Sequence, residues 1–243
     1  MRDVESLFRW AFYADYGITP EQAIERMFPP KGRVLGIDTG CAPVDIKTSL
    51  FKMTADEMLT RVGGLIHRVA TEQNVDGRAV AAVVAWEYEE NWKGRFSDYL
   101  QAHIGWGDAG IGWGSIHDSA AQGVRPLATE SELRCMRLAG RTALQMIGEI
   151  MSNTAKLYLK ASGGIWINGE PAVLAFFYNT GDGVAARSAA KRRLVVCDDT
   201  RVVDLPVSEN PMAGWVMKNL DRFRAYLTRP AEPMVWHAKA RAV

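Results

Sequence analysis

Asp76-Gly77-Arg78-Ala79-Val80-Ala81-Ala82-Val83-Val84-Ala85-Trp86-Glu87 is the stretch on which the fold turns. Asp76 offers a side-chain oxygen that can cap a helix, and Val80, Val83 and Val84 then recur on one face. The next place on that stripe is Glu87, a carboxylate where an apolar residue is expected. Burial beside Trp86 would disfavour its charged form and raise its pKa, leaving a proton to donate at neutral pH. The competing readings are a structural carboxylate satisfied by backbone amides, or a helix turned so that Glu87 is solvated like Glu89 and Glu90.

Upstream, Thr54-Ala55-Asp56-Glu57 is a capping box, and Met58, Leu59, Val62, Leu65, Ile66 and Val69 predict an amphipathic helix to about Gln73. Further back, Thr19-Pro20-Glu21-Gln22 predicts a short helix ending near Pro29-Pro30. After Asn91, Gly94, Gly105, Gly107, Gly110, Gly112 and Gly114 are too dense for a helix interior and predict a loop and β-rich insert. Thr129-Glu130-Ser131-Glu132 is another capping box. From it one long helix is expected to run through Leu133, Met136, Ala143, Leu144, Ile147, Ile150 and Met151 toward Gly163-Gly164.

Pro171 opens a segment, Ala172 to Tyr178, that is apolar on every side and reads as a buried helix, broken by Asn179-Thr180-Gly181-Asp182-Gly183. Leu194 to Val196 and Arg201 to Leu205 are predicted to pair as a small hairpin. Pro211 begins a last helix expected to carry Trp215, Leu220, Phe223 and Leu227 on one face. No repeat and no linker rich in Pro, Gly or Ser divides the chain. The expectation is one α+β domain over residues 1–243, mainly α-helical, with a core at about 55–190. Residues 1–54 are read as a helical extension, and 191–243 as a hairpin and helix extension.

Composition limits what such a chain does. Hydrophobic residues at 48% and charged residues at 23% exclude a disordered or collagenous chain, and 243 residues can bury a core without staples. With 29 basic against 28 acidic residues the formal charge is +1, so nothing in the bulk charge argues for nucleic acid or a membrane surface. No apolar run approaches the roughly 20 residues that cross a bilayer. Cys41, Cys135 and Cys197 are far apart, odd in number and free of CxxC spacing. They exclude a disulfide framework and a Cys-rich zinc site, and are expected to be reduced and structural. His67, His103, His117 and His237 show no close metal-ligand spacing, so neither metal nor other cofactor is expected. Arg187, Lys191, Arg192 and Arg193 read as a solvated helix face.

The chemistry-bearing residues concentrate elsewhere. Trp86, Trp92, Trp106 and Trp113, with Tyr88 and Tyr99, set aromatic faces among open loops, which suits the flat C–H surfaces of sugar rings. Asp108 lies within Gly105-Trp106-Gly107-Asp108-Ala109-Gly110-Ile111-Gly112-Trp113-Gly114. Alone it reads as a turn residue. Across a cleft from a protonated Glu87 it would activate water, and two carboxyls with separate roles suffice to cleave a glycosidic bond.

Three motifs in order carry a resemblance: Trp86-Glu87 at a helix end, the Gly105–Gly114 run, and Phe177-Tyr178-Asn179-Thr180-Gly181. Together, over roughly residues 55–190, the chain resembles the goose-type lysozymes and related lytic transglycosylases. The resemblance implies a lysozyme-like fold with a buried central helix and a small Gly-rich β lobe. It implies Glu87 as general acid, Asp108 as the residue that holds or activates water, and Tyr178 and Asn179 lining the cleft. Trp113 and His117 are expected to contact the sugar, His117 standing where the family has a glutamine. The family's second aspartate falls on Ser119, or on Asp118 with a one-residue shift.

The expected function is hydrolysis of the β-1,4 bond between N-acetylmuramic acid and N-acetylglucosamine in peptidoglycan, by a monomer acting as an antibacterial muramidase. The alternatives are a lytic transglycosylase on the same bond and a noncatalytic peptidoglycan-binding or interaction protein. Met1-Arg2-Asp3-Val4-Glu5-Ser6-Leu7 puts acidic residues where a signal peptide needs an apolar stretch. The expectation is therefore a chain made in the cytoplasm and delivered to the periplasm or wall by a secretion system or phage lysis. A cognate immunity protein is the expected partner of such a toxin.

Overall fold

The computed structural model describes residues 33–34, 37–38, 54–90, 110–138, 140–185 and 207–231. The described residues are mainly helical: α1 (Ala55–Gln73), α2 (Gly77–Glu89), α3 (Asp118–Val124), α4 (Glu130–Leu138), α5 (Gly140–Ser162), α6 (Pro171–Thr180) and α7 (Pro211–Asn219). Among them no helix is long and apolar enough to cross a membrane. The chain forms two compact units, Met1–Leu65 with Val84–Ile147, and Ile66–Val83 with Gly148–Val243. The helix predicted after Thr19 and the hairpin predicted between Leu194 and Leu205 lie outside the described residues.

In the first unit, α1 begins at the predicted box. The Thr54 amide donates to Glu57 Oε2 at 2.8 Å and the Glu57 amide to Thr54 Oγ1 at 3.2 Å, satisfying two amides that a helix start leaves open. Met58, Leu59 and Val62 face inward from it. α4 starts in the same way, with the Thr129 amide 2.7 Å and its hydroxyl 2.8 Å from Glu132 Oε2. These bonds favour the charged carboxylate and hold Glu132 below the usual glutamate value. Their contribution is therefore complete above the ordinary glutamate pKa and lost as pH falls through the lower folded value. Glu132→Gln should lower the urea midpoint at pH 7, and the gap to wild type should close in strong acid.

Within the glycine run, Ile111 and Ile116 form an antiparallel bridge, each amide donating to the other's carbonyl, at 3.2 and 2.9 Å. Both side chains are 1% exposed. The turn between them needs a left-handed residue at Gly112 (φ 79°), and Ser115 also has positive φ, 48°. In place of an extended β lobe, the described part of the run is this one tight hairpin. Elsewhere among the described residues the strands are Arg33–Val34 and Ile37–Asp38, paired antiparallel within the extension expected to be helical. Strands of two residues are too short to show an alternation that a sequence reading could find.

Over the long helix expected from Thr129 to Gly163 the structure describes two, α4 to Leu138 and α5 from Gly140. Glycine is a weak helix former, and this one is required by packing: a Cβ at Gly140 would lie 2.2 Å from the Trp113 ring. The indole lies against bare backbone at the start of α5. Cys135 of α4 is disulfide-bonded, correcting the expectation of three reduced cysteines. Separation along the sequence does not measure distance in a folded chain. Its partner, Cys41 or Cys197, lies outside the described residues.

In the second unit, α6 packs against α7 and is buried from Pro171 to Phe177, as its uniformly apolar sequence predicts. The Phe177 ring sits 5.4 Å from Tyr158 and 5.2 Å from Phe176, and burying each such side chain stabilises by about 1.5–3 kcal/mol. α6 ends where Gly181 takes φ 84° and returns its amide to the Phe177 carbonyl at 2.7 Å. Gly148 of α5 admits α1 closely, since a Cβ there would meet Val69 Cγ1 at 2.4 Å. α7 is capped by Asn210 and gives way to a 3-10 turn, Leu220–Tyr226. This tighter winding moves Leu227 off the predicted apolar face, leaving it 47% exposed, while Met212, Val216 and Phe223 face inward.

A corner between α1 and α2 orders this unit. Asn74 takes φ 55°, a conformation asparagine tolerates better than most residues. Its side chain exchanges two hydrogen bonds with the Ala231 backbone, at 3.1 and 2.7 Å. Its carbonyl accepts from Asn168 Nδ2 at 2.8 Å. Asp76, 2% exposed, caps α2 through the Arg78 amide at 2.8 Å, as predicted. It also grips the Arg78 guanidinium through both carboxylate oxygens, at 2.7 to 3.1 Å. The Asp76 amide donates to the Asn168 carbonyl at 2.9 Å. The N-terminus of α2 is thereby tied to two distant segments.

Candidate active site

α2 is buried on all sides from Ala79 to Ala85, each of these residues being 0% exposed. A fully apolar helix of small and β-branched residues gives this result, where an amphipathic one would leave a wet face. At its far end Trp86 is half-buried, Glu87 is 8% exposed and Tyr88 6%, while Glu89 and Glu90 face solvent. Glu87 is thus turned away from the water its acidic neighbours meet. A carboxyl in the last turn also sits at the negative end of the helix dipole.

Asp108 lies outside the described residues, as do Trp92, Tyr99, Trp106 and the basic residues 187–193. Trp113, at the tip of the hairpin, is half-buried with its ring against Gly140. His117 follows the hairpin, is exposed, and stands at the N-cap of α3 with an extended backbone and no capping bond from its side chain. Trp113 and His117 therefore share one short segment.

Asp118 and Ser119, the alternatives for a second aspartate position, begin α3. Asp118 pairs with Arg137, whose side chain is 4% exposed. Arg137 Nη1 also donates to the Ile116 carbonyl at 3.0 Å, the oxygen that closes the hairpin. Between α3 and α4, Asp118, Ser119, Gln122, Glu130 and Leu133 line an open groove of ≈ 300 Å³. Arg137 was not singled out from the sequence, yet a signal was there. It lies four residues after buried Leu133, a cation on an apolar helical stripe, the same kind of anomaly that marks Glu87.

Tyr178 and Asn179 belong to the other unit, at the end of α6. Tyr178 is half-buried. Asn179 Oδ1 accepts from Asn210 Nδ2 at 2.8 Å, and Asn210 Oδ1 in turn accepts from the Ala213 amide at 2.9 Å. Asn179 thus supports the cap of α7. Asn210→Ala should cost about 1 kcal/mol in urea unfolding, and Asn179→Ala, which leaves the capping bond in place, should cost less. No family model, curated protein or solved structure matches this chain.

Proposed function

We propose that the chain is a lysozyme-like glycosidase that hydrolyses the β-1,4 bond between N-acetylmuramic acid and N-acetylglucosamine in peptidoglycan. The observation that carries the reading is the burial of Glu87 at the end of an otherwise apolar buried helix, next to Trp86 and turned from the solvent that Glu89 and Glu90 face. Burial disfavours the charged form of a carboxyl, and the protonated form is the one that gives a proton to a leaving glycosidic oxygen. In this mechanism Asp108 orients or deprotonates water on the opposite face of the ring, which inverts the anomeric centre if the two carboxyls stand about 6.5–9.5 Å apart. The order of the three sequence motifs supports the same assignment, with Trp113 and His117 on the sugar.

One observation favours the transglycosylase variant. Asp118 is engaged by Arg137 in an ion pair, so it is a poor substitute for a second water-handling carboxylate. In that variant Glu87 serves as acid and then as base, and an anhydro sugar forms without water. Digestion of purified peptidoglycan followed by mass spectrometry tests both: hydrated muropeptides support hydrolysis, anhydro products support the transglycosylase, and no release leaves a wall-binding protein. The disulfide at Cys135 fits work in an oxidising compartment outside the cytoplasm. The biological role we propose is that of a delivered antibacterial toxin restrained by an immunity protein. Toxicity on export of the folded chain to the periplasm of a sensitive bacterium is its expected sign.

A further inference from the structure

Two residues of the first unit go against local preference, and one holds the backbone of the other. Arg137 puts a guanidinium, 4% exposed, on the stripe of α4 that buried Leu133 begins, where an aliphatic side chain would pack without desolvating a charge. His117 stands at the N-cap of α3, a place that favours Ser, Thr, Asp or Asn, and its side chain makes no capping bond. Local preferences are overruled in this way chiefly at functional positions.

Arg137 spans His117. Its Nη1 donates to the Ile116 carbonyl at 3.0 Å and its Nη2 pairs with the Asp118 carboxylate, so the fork grips the residues before and after His117. The Ile111 amide reaches the same Ile116 carbonyl at 3.2 Å, and the Ala121 amide reaches the His117 carbonyl at 3.0 Å. Between these fixed points the His117 backbone is extended, φ −74° and ψ 154°, and the residue is exposed. A planar fork on two acceptors sets direction as well as distance, which a lysine ammonium does not. Stability is a poor explanation for it. Without Arg137 the Ile116 carbonyl keeps the Ile111 amide, and Asp118, its side chain 45% exposed, keeps water. A methionine of similar length should therefore fold in its place.

We propose that Arg137 is a positioning residue: its guanidinium fixes the backbone on both sides of His117 so that the imidazole meets an N-acetylated amino sugar of the bound polysaccharide. The identity of the ligand rests on the glycosidase reading; the hold on His117 does not.

The test compares Arg137→Met, His117→Ala and the double variant. It follows binding of an N-acetylglucosamine tetrasaccharide through the imidazole proton resonances, and turnover of soluble peptidoglycan. In wild type the tetrasaccharide should shift the His117 resonance, identified by its loss in His117→Ala. Each single variant should bind the tetrasaccharide about tenfold more weakly and raise KM for peptidoglycan by a similar factor with kcat little changed. The double variant should lose no more than either single one. Should Arg137→Met unfold, Arg137→Lys decides, since it keeps the charge without the fork and should bind as weakly as His117→Ala. Additive losses in the double variant, full affinity in Arg137→Lys, or a His117 resonance that the tetrasaccharide leaves in place would overturn the positioning. A wild type that binds the tetrasaccharide through His117 and releases nothing from peptidoglycan would sink the glycosidase reading and leave the positioning standing.

Discussion

Glu87→Gln will cut the release of reducing ends from purified peptidoglycan by about 10²–10⁴-fold while leaving the melting temperature and wall binding close to wild type. Glutamine keeps the shape and the hydrogen-bonding capacity of a neutral carboxyl but has no acidic proton to lend the departing oxygen. Because Glu87 is 8% exposed, water is poorly placed to take over, which puts the expected loss toward the upper end. Glu89→Gln and Glu90→Gln are the controls, since those side chains are exposed on the same helix end and their removal should leave the rate within twofold. Release unchanged in Glu87→Gln would remove this residue from the chemistry and leave its burial as a purely structural fact.

Asp76→Ala will destabilise the chain by about 3 kcal/mol, seen as a melting temperature lower by about 10 °C. The change removes the cap of α2, worth about 1 kcal/mol, and strips the Arg78 guanidinium of both its carboxylate bonds. The bonds to Asp76 hold the Arg78 guanidinium above its ordinary pKa against the opposing effect of burial. At 24% side-chain exposure Arg78 can still turn toward water, which keeps the estimate below that for a fully enclosed pair. Asp76→Asn retains a capping oxygen and should recover roughly the capping part of the loss. Since α2 carries Glu87 in its last turn, loosening its other end should also lower turnover in any fraction that stays folded. A melting temperature unchanged in Asp76→Ala would mean that the corner does not order the helix.

The parts of the chain legible from sequence are those where local chemistry decides. Thr54, Thr129 and Asp76 cap helices as written because a hydroxyl or carboxylate two or three residues from an open amide needs no tertiary help. The Ala172–Phe177 run is buried because it has no polar face to turn outward. What stayed hidden depends on partners distant in the chain. The need for glycine at 140 is set by the Trp113 ring, and the disulfide by a cysteine at least sixty residues away. In the candidate site, the inward turn of Glu87 was readable from the stripe it interrupts. The engagement of Asn179 by Asn210 was not, since two surface amides carry no sign of each other.

The pair of bonds between Asn74 and the Ala231 backbone, with Phe223 and Val216 sealed beneath, makes residues 207–231 a working member of the second unit. A protease that severed the chain within 186–206 would therefore leave two polypeptides that migrate as one particle until a denaturant, with a reductant present, parts them. By the same logic the C-terminal piece, supplied separately, should reconstitute a shortened protein in the manner of a split reporter.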